Sequence, residues 1–325
     1  MSASGGTKAV MAALLANAGI AVSKFVAFLF TGSSSMLAES IHSVADAGNQ
    51  GLLLLGGRKA KRAPSEEHPF GYGRERYIYA FIVSVVLFTV GGLFALYEGY
   101  HKIEESREGH HSLDAPLVAV IVLVVAIALE IFSFRTAIVE SNKVRGSQSW
   151  VTFIRRAKAP ELPVVLLEDL AALLGLIFAL IGVSVAWVTD DVLYDGIGTL
   201  AIGALLVVVA ITLAIETKSL LLGESAGPES VARIRAALEQ DSVERVIHLR
   251  TMHLGPDELL VAAKIAVPAG SSAVEVAEAI NAAEHRVRAA EPLARMIFLE
   301  PDIYSAEDAA RGSDLPPVHG STAGH

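Results

Sequence analysis

The sequence predicts an all-α bundle of six transmembrane helices followed by a small α+β domain. Apolar runs of about 20 residues, the length that spans a bilayer, recur through the first two-thirds of the chain. Roughly the last hundred residues change to the short apolar periods of a water-soluble domain. Composition agrees, because 53% of the 325 residues are hydrophobic, only 19% are charged and the mean hydropathy is +0.50.

Each apolar run is long enough to cross about 30 Å of hydrocarbon as a helix. Twelve lysine and arginine residues lie in or beside the loops after runs two and four, whereas the loops after runs one, three and five hold only Lys102 and Arg107. Because positively charged loops stay in the cytoplasm, both termini are expected there. The predicted spans, with approximate boundaries, are 9–30, 36–57, 78–100, 115–139, 163–187 and 193–221.

The domain boundaries follow from the change in pattern. Residues 1–222 form the predicted six-span membrane domain, and residues 223–305 form a cytoplasmic domain. Residues 306–325 are rich in Ser, Gly, Pro and Ala, and we expect them to be a disordered tail. The cytoplasmic domain shows the order helix, strand, strand, helix, strand, which is typical of a ferredoxin-like α+β fold.

Local signals place the elements of this cytoplasmic domain. The first helix begins after Gly227, and a capping box at Ser272 and Glu275 begins the second. Apolar residues alternate along the chain from Val261 to Val267, which predicts a strand with one buried face. The three strands are predicted at 244–252, 258–267 and 294–299.

Charge and residue usage exclude several classes of partner and site. The net charge of −9 argues against a nucleic-acid partner. The chain has no cysteine, so neither a disulfide nor a thiolate metal site is possible. The stretch MSASGGTKAVMA shows neither a cleavable secretory signal nor an Arg-rich transit pattern, which predicts that the first span is retained and favours a prokaryotic plasma membrane.

Four polar residues, Glu39, His42, Asp46 and Asn49, interrupt the second apolar run. Their 3-4-3 spacing places all four on one face of a helix. Asp46 lies 10 residues into the span, which is about 15 Å and therefore close to the bilayer midplane. Ionisable residues at that depth are costly and usually face a functional cavity. An imidazole and a carboxylate at i and i+4 also chelate first-row divalent metals.

Two carboxylates on the fifth span, Glu168 and Asp169, would complete a coordination shell begun by His42 and Asp46. Mixed nitrogen and oxygen ligands suit zinc, manganese, iron or cobalt, and the lack of sulfur disfavours cuprous copper. Ligands must lose protons before they bind metal, so binding releases protons and couples the site to pH. The expected proton acceptor is His42, since histidine titrates closest to neutral pH.

Other interpretations of these residues stay open at this point. In a purely structural one, His42 is a hydrogen-bonded helix residue and Asp46 pairs with Lys24 of the first span. An intramembrane metal hydrolase would also need histidine and carboxylates, but the sequence has no HExxH motif, and we do not expect an enzyme. A passive cation channel would show a selectivity-filter motif, which the sequence lacks as well.

Several stretches resemble the cation diffusion facilitator family, in the order found there. Residues 33–50, SSSMLAESIHSVADAGNQ, resemble its second span, where an HxxxD or DxxxD pair binds the transported ion; His42 and Asp46 match that pair. One branch of the family, which contains the mitochondrial zinc transporter of animals, has a pattern similar to that of this chain: HSxAD followed by NQ in span two, and an adjacent Glu-Asp in span five. The other matching stretches are HPFGYGRERY at 68–77, LLEDLAALLG at 166–175, LYDGIGTL at 193–200 and LLLGES at 220–225.

The resemblance implies a secondary transporter that moves a divalent cation out of the cytoplasm in exchange for protons. Zinc is the implied substrate, with manganese, iron or cobalt as alternatives, and no resident cofactor is implied. The implied ligands are His42, Asp46 and Asp169. The implied partners are the lipid bilayer and a second copy of the chain, since the cytoplasmic domain of the family regulates and dimerises.

The sequence departs from the family in the fifth span. Many zinc-transporting members have HxxxD there; Asp169 matches its aspartate, but Val165 stands at the histidine position and cannot bind metal. The fourth ligand is then Glu168, about 100° around the helix from Asp169, or Asn49, or water. Glu39 is expected to be a neighbour of the site.

Further residues match family positions with less defined roles. His68 matches one ligand of an accessory site, but Ser65 and Tyr72 occupy the other positions, so His68 is expected to anchor its loop. His248 resembles a ligand of the cytoplasmic domain by its HLRT context, and a metal there is the less favoured interpretation. The intramembrane charges expected to pair and orient helices are Lys24, Glu98, Glu130 and Asp195.

Overall fold

Long helices make up the first two-thirds of the computed structural model, which describes residues 4–31, 34–108, 116–241 and 243–305. The side chains of residues 4, 5, 27, 30, 31, 34–39, 41 and 42 lie outside the described part, as does the predicted disordered tail at 306–325. The chain divides into two compact units, Met1–Leu221 and Leu222–His325.

The first unit is helical throughout, apart from its turns and loops. Between Glu75 and Arg107, α3, a π-helical segment and α4 follow one another without a break. The helices are α1 (Ser4–Thr31), α2 (Ser34–Lys59), α3 (Glu75–Val86), the π-helical segment (Leu87–Leu93), α4 (Phe94–Arg107), α5 (Pro116–Arg145), α6 (Trp150–Arg156), α7 (Glu161–Thr189) and α8 (Leu193–Leu222).

Within the described residues, five helical stretches are long and apolar enough to cross a membrane. α2, which contains the predicted span at 36–57, is not one of them, and much of its first half lies outside the part of the chain whose side chains are described. A sixth span through α2 therefore stays a prediction. The five stretches are Gly6–Val26, Glu75–Arg107, Pro116–Arg145, Glu161–Thr189 and Leu193–Leu222.

α1 packs against α2, α5 and α7, and α5 packs against α7. Large apolar side chains on the other side of these helices stay exposed, for example Ile121 and Phe132 of α5, and they are suited to lipid. The apolar core lies at the end of the unit where α1, α3 and α7 begin and α2 and α5 end. Its fully buried members include Ala9, Val10, Leu53, Val83, Ala137, Val164 and Val165.

A buried ion pair stands at the same end of the unit. Arg76, in the first turn of α3, donates from Nε and Nη2 to the two carboxylate oxygens of Glu161, in the first turn of α7, and the second of these bonds is 2.8 Å long. Both side chains are at most 10% exposed. This bidentate geometry, which is among the stronger kinds of ion pair, ties α3 to α7.

Glycines bring α4 and α8 into close contact. A Cβ added to Gly99 would lie 2.7 Å from the backbone nitrogen of Leu200, and one added to Gly203 would lie 2.7 Å from that of Leu96. Such close packing drives helix association in lipid, where the hydrophobic effect is absent. At one end of this contact, the Lys102 amine lies 2.8 Å from a carboxylate oxygen of Asp195.

The second unit is a three-stranded sheet with helices. β1 pairs antiparallel with β2, and β2 pairs parallel with β3, in the order β1-β2-β3. α9 packs on β1 and α10, and α10 packs on β3, so Ile234 and Val287 meet the buried face of the sheet. The elements are α9 (Pro228–Leu238), β1 (Arg245–Gly255), β2 (Glu258–Ala266), α10 (Ala273–Ala290) and β3 (Ala294–Asp302).

Two local predictions for this unit are confirmed. Side chains along β2 alternate between buried and half-buried from Leu259 to Ile265, as the apolar pattern requires. The capping box of α10 is formed, since Ser272 N–H donates to Glu275 Oε2 at 2.7 Å and Glu275 N–H donates to Ser272 Oγ at 3.3 Å. The bond from the Ser272 backbone also lowers the pKa of Glu275.

Replacing Gly99 by alanine tests the contact between α4 and α8. Alanine is favoured over glycine in a helix by about 1 kcal/mol, so only a steric clash would make the change unfavourable. We expect Gly99→Ala to lower stability by about 1–3 kcal/mol, as overpacked cores do. The thermal unfolding midpoint of the purified protein in detergent measures this.

Gly57→Ala is the matched control for this prediction. Gly57 is also helical, and a Cβ there meets no atom of the described residues within 4 Å. Its midpoint should stay the same or rise. A Gly99→Ala protein as stable as the Gly57→Ala protein would contradict the proposed close packing.

Candidate functional site

The polar stripe of α2 turns toward the other helices. Asn49 and Gln50 are 2% and 0% exposed, and Asp46 is half-buried. The backbone of α2 is helical through Glu39 and His42, but the side chains of these two residues lie outside the described part. The described half of the stripe is therefore directed into the bundle, as its spacing predicts.

Two adjacent carboxylates of α7 face different neighbours. Asn49 Nδ2 donates to Glu168 Oε1 at 3.1 Å, while Ser133 Oγ of α5 donates to Asp169 Oδ2 at 2.6 Å. The turn of about 100° between successive helix residues explains this, because it directs Glu168 to α2 and Asp169 to α5. Both side chains are buried. Two carboxylates that cannot share one face of a helix thus both enter the polar cluster.

A third helix adds Glu130, which is 1% exposed. It lies three residues before Ser133 on α5, so both face the same way. The charges of Asp169, Glu168, Asp46 and Lys24 all act on it. We refer to Lys24, Asp46, Asn49, Glu130, Ser133, Glu168 and Asp169 as the carboxylate cluster.

Three buried oxygens of the cluster lack a hydrogen-bond partner within the described part of the chain: Asn49 Oδ1, Glu130 Oε1 and Glu168 Oε2. They come from three helices, and each can only accept, unless a carboxylate is protonated. Gln50 Nε2 likewise has no partner within hydrogen-bond distance among the described residues, although Gln50 lies near enough to Glu168 to interact with its carboxylate. An unsatisfied buried acceptor costs about 1–3 kcal/mol, and a bound cation or proton removes that cost.

The described side chains do not form a complete metal shell by themselves. No group of three or more His, Asp or Glu side chains among them has metal-binding geometry, and the His42 side chain lies outside that set. Val165, one turn before Asp169, is fully buried in the apolar core. α7 therefore offers carboxylates to the cluster only at Glu168 and Asp169.

The four predicted intramembrane charges have different surroundings in the described part of the chain. Lys24 donates to Ser43 Oγ at 3.1 Å between α1 and α2, and it acts together with Glu130 in the cluster. Asp195 instead pairs with Lys102. Glu98 is half-buried on α4.

Two polar residues in or beside the cluster, Ser133 and Gln50, were not predicted from the sequence. Ser133 orients Asp169 from 36 positions away in the chain, and Gln50 Oε1 accepts from Asn17 Nδ2 of α1 at 3.3 Å. A usable signal was the spacing of Ser133 three residues after Glu130 within an otherwise apolar run. Such small polar residues commonly form interhelical hydrogen bonds in membranes.

Comparison with known proteins decides the family. A family model described as the cation efflux transmembrane domain matches residues 10–222. The chain belongs to the cation efflux family. The resemblance to cation diffusion facilitators is thus confirmed, and with its membrane-crossing helices the chain is a multi-pass integral membrane protein embedded in a lipid bilayer.

Three relatives illustrate the range within the family. The mitochondrial proton-coupled zinc antiporter SLC30A9 of Mus musculus is 35% identical over 74% of this chain and 42% of its own length. Metal tolerance protein C4 of Arabidopsis thaliana is 30% identical over 79% of this chain and 56% of its own length. The manganese efflux system protein MneP of Bacillus subtilis (strain 168) is 27% identical over 78% and 81%. The chain thus spans less than half the length of the first relative.

In this cation efflux protein, His68 holds a loop together. Its ring stacks on Tyr72 with centroids 4.7 Å apart, its backbone N–H donates to Ser65 Oγ at 3.1 Å, and Ser65 Oγ contacts the Tyr72 hydroxyl at 3.1 Å. The three residues at the accessory metal positions therefore contact one another. This geometry is that of a loop anchor.

His248 of the cation efflux protein lies on β1, next to the central strand β2. Its partner across the strands is Lys264, which pairs with Asp302 at 2.6 Å and with Glu300 at 3.3 Å. Hydrogen bonds to Asp302 and then Glu300 raise the pKa of Lys264, so this amine stays protonated at neutral pH. Both carboxylates lie on β3, and among the described residues His248 Nδ1 is buried without a hydrogen-bond partner.

Replacing His68 or His248 by alanine should leave the number of metal ions bound per chain unchanged. We expect this because His68 contacts residues of its own loop and His248 stands in register with a lysine. Equilibrium dialysis of the purified protein against zinc, followed by elemental analysis, measures the number bound. Loss of about one ion per chain in either variant would contradict these assignments.

Proposed function

We propose that this chain carries a divalent cation, zinc in first place, across a membrane in exchange for protons. The observation that supports this is the carboxylate cluster, in which three helices that pack in the bundle contribute buried oxygens without partners. Ionisable side chains at that depth are costly and mark ion pathways. Cation efflux proteins are transporters and not enzymes.

The proposed ligands are His42 and Asp46 of α2 and Asp169 of α7, with Glu168 as the fourth. Asn49 supports this set because it bonds Glu168 and so holds α2 and α7 together at the cluster. Glu39 lies one turn before His42 on the same face and is a neighbour rather than a ligand. Nitrogen and oxygen donors of this kind suit zinc.

Charge balance gives a physical reason for exchange. Four carboxylates of the cluster, Asp46, Glu130, Glu168 and Asp169, meet one described ammonium group, that of Lys24. Each unbalanced buried charge costs several kcal/mol, so the cluster needs either protons or a cation. Metal and protons then compete for the same oxygens, and binding one releases the other.

The relatives support zinc and leave manganese as the second candidate. SLC30A9 is named a proton-coupled zinc antiporter, and MneP a manganese efflux protein. An imidazole ligand such as that proposed for His42 favours zinc, whereas the oxygen donors of the carboxylate cluster are also suited to manganese. Iron and cobalt share the same ligand preferences and are the less favoured candidate substrates.

The remaining parts of the proposal concern topology and assembly. α2 is taken as the sixth span, since its 26 residues reach about 39 Å as a helix. The lysine and arginine residues of the loops support a topology with both termini in the cytoplasm. The second unit, whose element order is α-β-β-α-β, is taken as a ferredoxin-like cytoplasmic domain that regulates and dimerises the transporter.

Metal uptake into proteoliposomes tests the proposal. Zinc flux should rise when the pH gradient drives protons in the opposite direction, and zinc should be transported faster than manganese, iron or cobalt. Asp46→Asn and Asp169→Asn each remove a charged ligand, so each should lower zinc flux at least about tenfold, in the range known for weakened metal shells. A fluorescent zinc indicator inside the vesicles measures the flux.

Glu216→Gln is the matched control for these variants. Glu216 is a carboxylate of α8 that faces Arg155 at 3.8 Å, outside the cluster. It should keep wild-type flux. Zinc flux that does not change with the pH gradient would contradict proton exchange. Wild-type flux in both Asp46→Asn and Asp169→Asn would contradict the ligand assignment.

A further inference from the structure

α5 contributes to the cluster one carboxylate, that of Glu130, which is not among the proposed ligands of α2 and α7. Glu130 is 1% exposed and stands in the middle of a 30-residue membrane helix. Its Oε1 atom has no hydrogen-bond partner among the residues that the structure describes. Burying a carboxylate without a partner costs free energy, and an apolar side chain of similar size would pack there without that cost. The carboxylate therefore calls for a functional explanation.

The contacts of α5 show which way Glu130 faces. Ser133, three residues later, donates to Asp169 Oδ2 at 2.6 Å, which fixes this face of α5 against the carboxylates of α7. Residues three apart share one face of a helix. The charges of Asp169, Glu168 and Asp46 act on Glu130 accordingly. The free oxygen of Glu130 thus belongs to the same buried cluster.

The free oxygens of the cluster come from α2, α5 and α7: Asn49 Oδ1, Glu130 Oε1 and Glu168 Oε2. α7 has no donor one turn before Asp169, because Val165 is fully buried in the apolar core. A dication held only by α2 and α7 would leave the Glu130 charge beside it without a partner for its free oxygen. Coordination by Glu130 satisfies that oxygen and adds a negative ligand to the cation.

We propose that the Glu130 carboxylate is a ligand of the transported dication, contributed by α5 in addition to the ligands of α2 and α7. This inference rests on the proposed function. The competing role is structural, in which Glu130 serves only to balance the charge of Lys24. Lys24 already donates to Ser43 Oγ, and its single charge faces several carboxylates, so it does not account for Glu130.

Cobalt binding to the full-length protein in detergent tests the inference, because the visible absorption of Co²⁺ reports its ligands. Glu130→Gln keeps the size of the side chain and removes its charge. We expect it to weaken Co²⁺ and Zn²⁺ binding at least about tenfold and to change the Co²⁺ spectrum. Wild-type affinity together with a wild-type spectrum would overturn the inference.

Glu140→Gln is the matched control. Glu140 lies on the same helix, is 7% exposed and is paired with Lys143. It should leave both affinity and spectrum unchanged. A change of the same size in Glu140→Gln would show a general effect of removing a buried charge from α5 and would overturn the ligand role of Glu130.

Two further measurements separate the possible failures. Asp46→Asn and Asp169→Asn should weaken binding; if they do so and Glu130→Gln does not, only the Glu130 inference fails, whereas if none of them weakens binding the proposed site fails as a whole. If Glu130→Gln lowers the thermal midpoint, Glu130→Asp replaces it. This variant keeps the charge but withdraws the carboxylate by one methylene, so a changed Co²⁺ spectrum supports the ligand role and an unchanged one overturns it.

Discussion

Negative charge enclosed by membrane helices is the constraint on which the rest of the first unit depends. Removing a carboxylate from water costs several kcal/mol, whereas one hydrogen bond to a neutral group returns only about 0.5–1.5 kcal/mol. Asn49 and Ser133 each supply one such bond, to Glu168 and Asp169. These bonds orient the carboxylates but do not balance their charge. Balancing the cluster therefore requires positive charge beyond that of Lys24, as a metal ion or as protons.

The same constraint explains why α1 and α2 meet through polar groups. Lys24 donates to Ser43, Asn17 donates to Gln50, and Ser40 donates to the Ala21 carbonyl oxygen at 2.9 Å. In lipid such contacts hold helices together without help from the hydrophobic effect. They also allow a helix as polar as α2 to sit among apolar neighbours. A helix that carries several polar residues can in this way belong to a membrane bundle.

Most elements could be predicted from the sequence because their signals are local. Apolar runs located the helices that cross the membrane, alternation located β2, and Ser272 with Glu275 located the start of α10. The helices nonetheless extend beyond the apolar runs, as α5 does to Arg145, since a helix need not end at the lipid surface. The short α6 and the π-helical segment at Leu87–Leu93 carry no comparable signal and were missed.

The candidate site was predictable only in part, for a related reason. Spacing identifies residues that share one helix face, so Asp46 and Asn49 could be predicted to lie together on α2. Asp169 was predicted because it is a carboxylate within a second apolar run. Which groups they contact depends on packing between distant segments; Asn49 and Glu168, for example, are 119 positions apart. The partner of Asp169 and the direction of Glu130 have no local signature. Long-range polar contacts of this kind emerge only with the fold.

The apolar core and the pair between Arg76 and Glu161 have a consequence for access to the cluster. Both lie at the end of the unit where α7 begins, and Glu168 is only seven residues further along that helix, about 10 Å away. Among the described residues, this end is closed by packed side chains such as Val83 and Val164. An ion entering from there would have to part α3 from α7 and break a bidentate ion pair. Within the described part of the chain, this end of the unit is thus held together by a contact between the first turns of two helices.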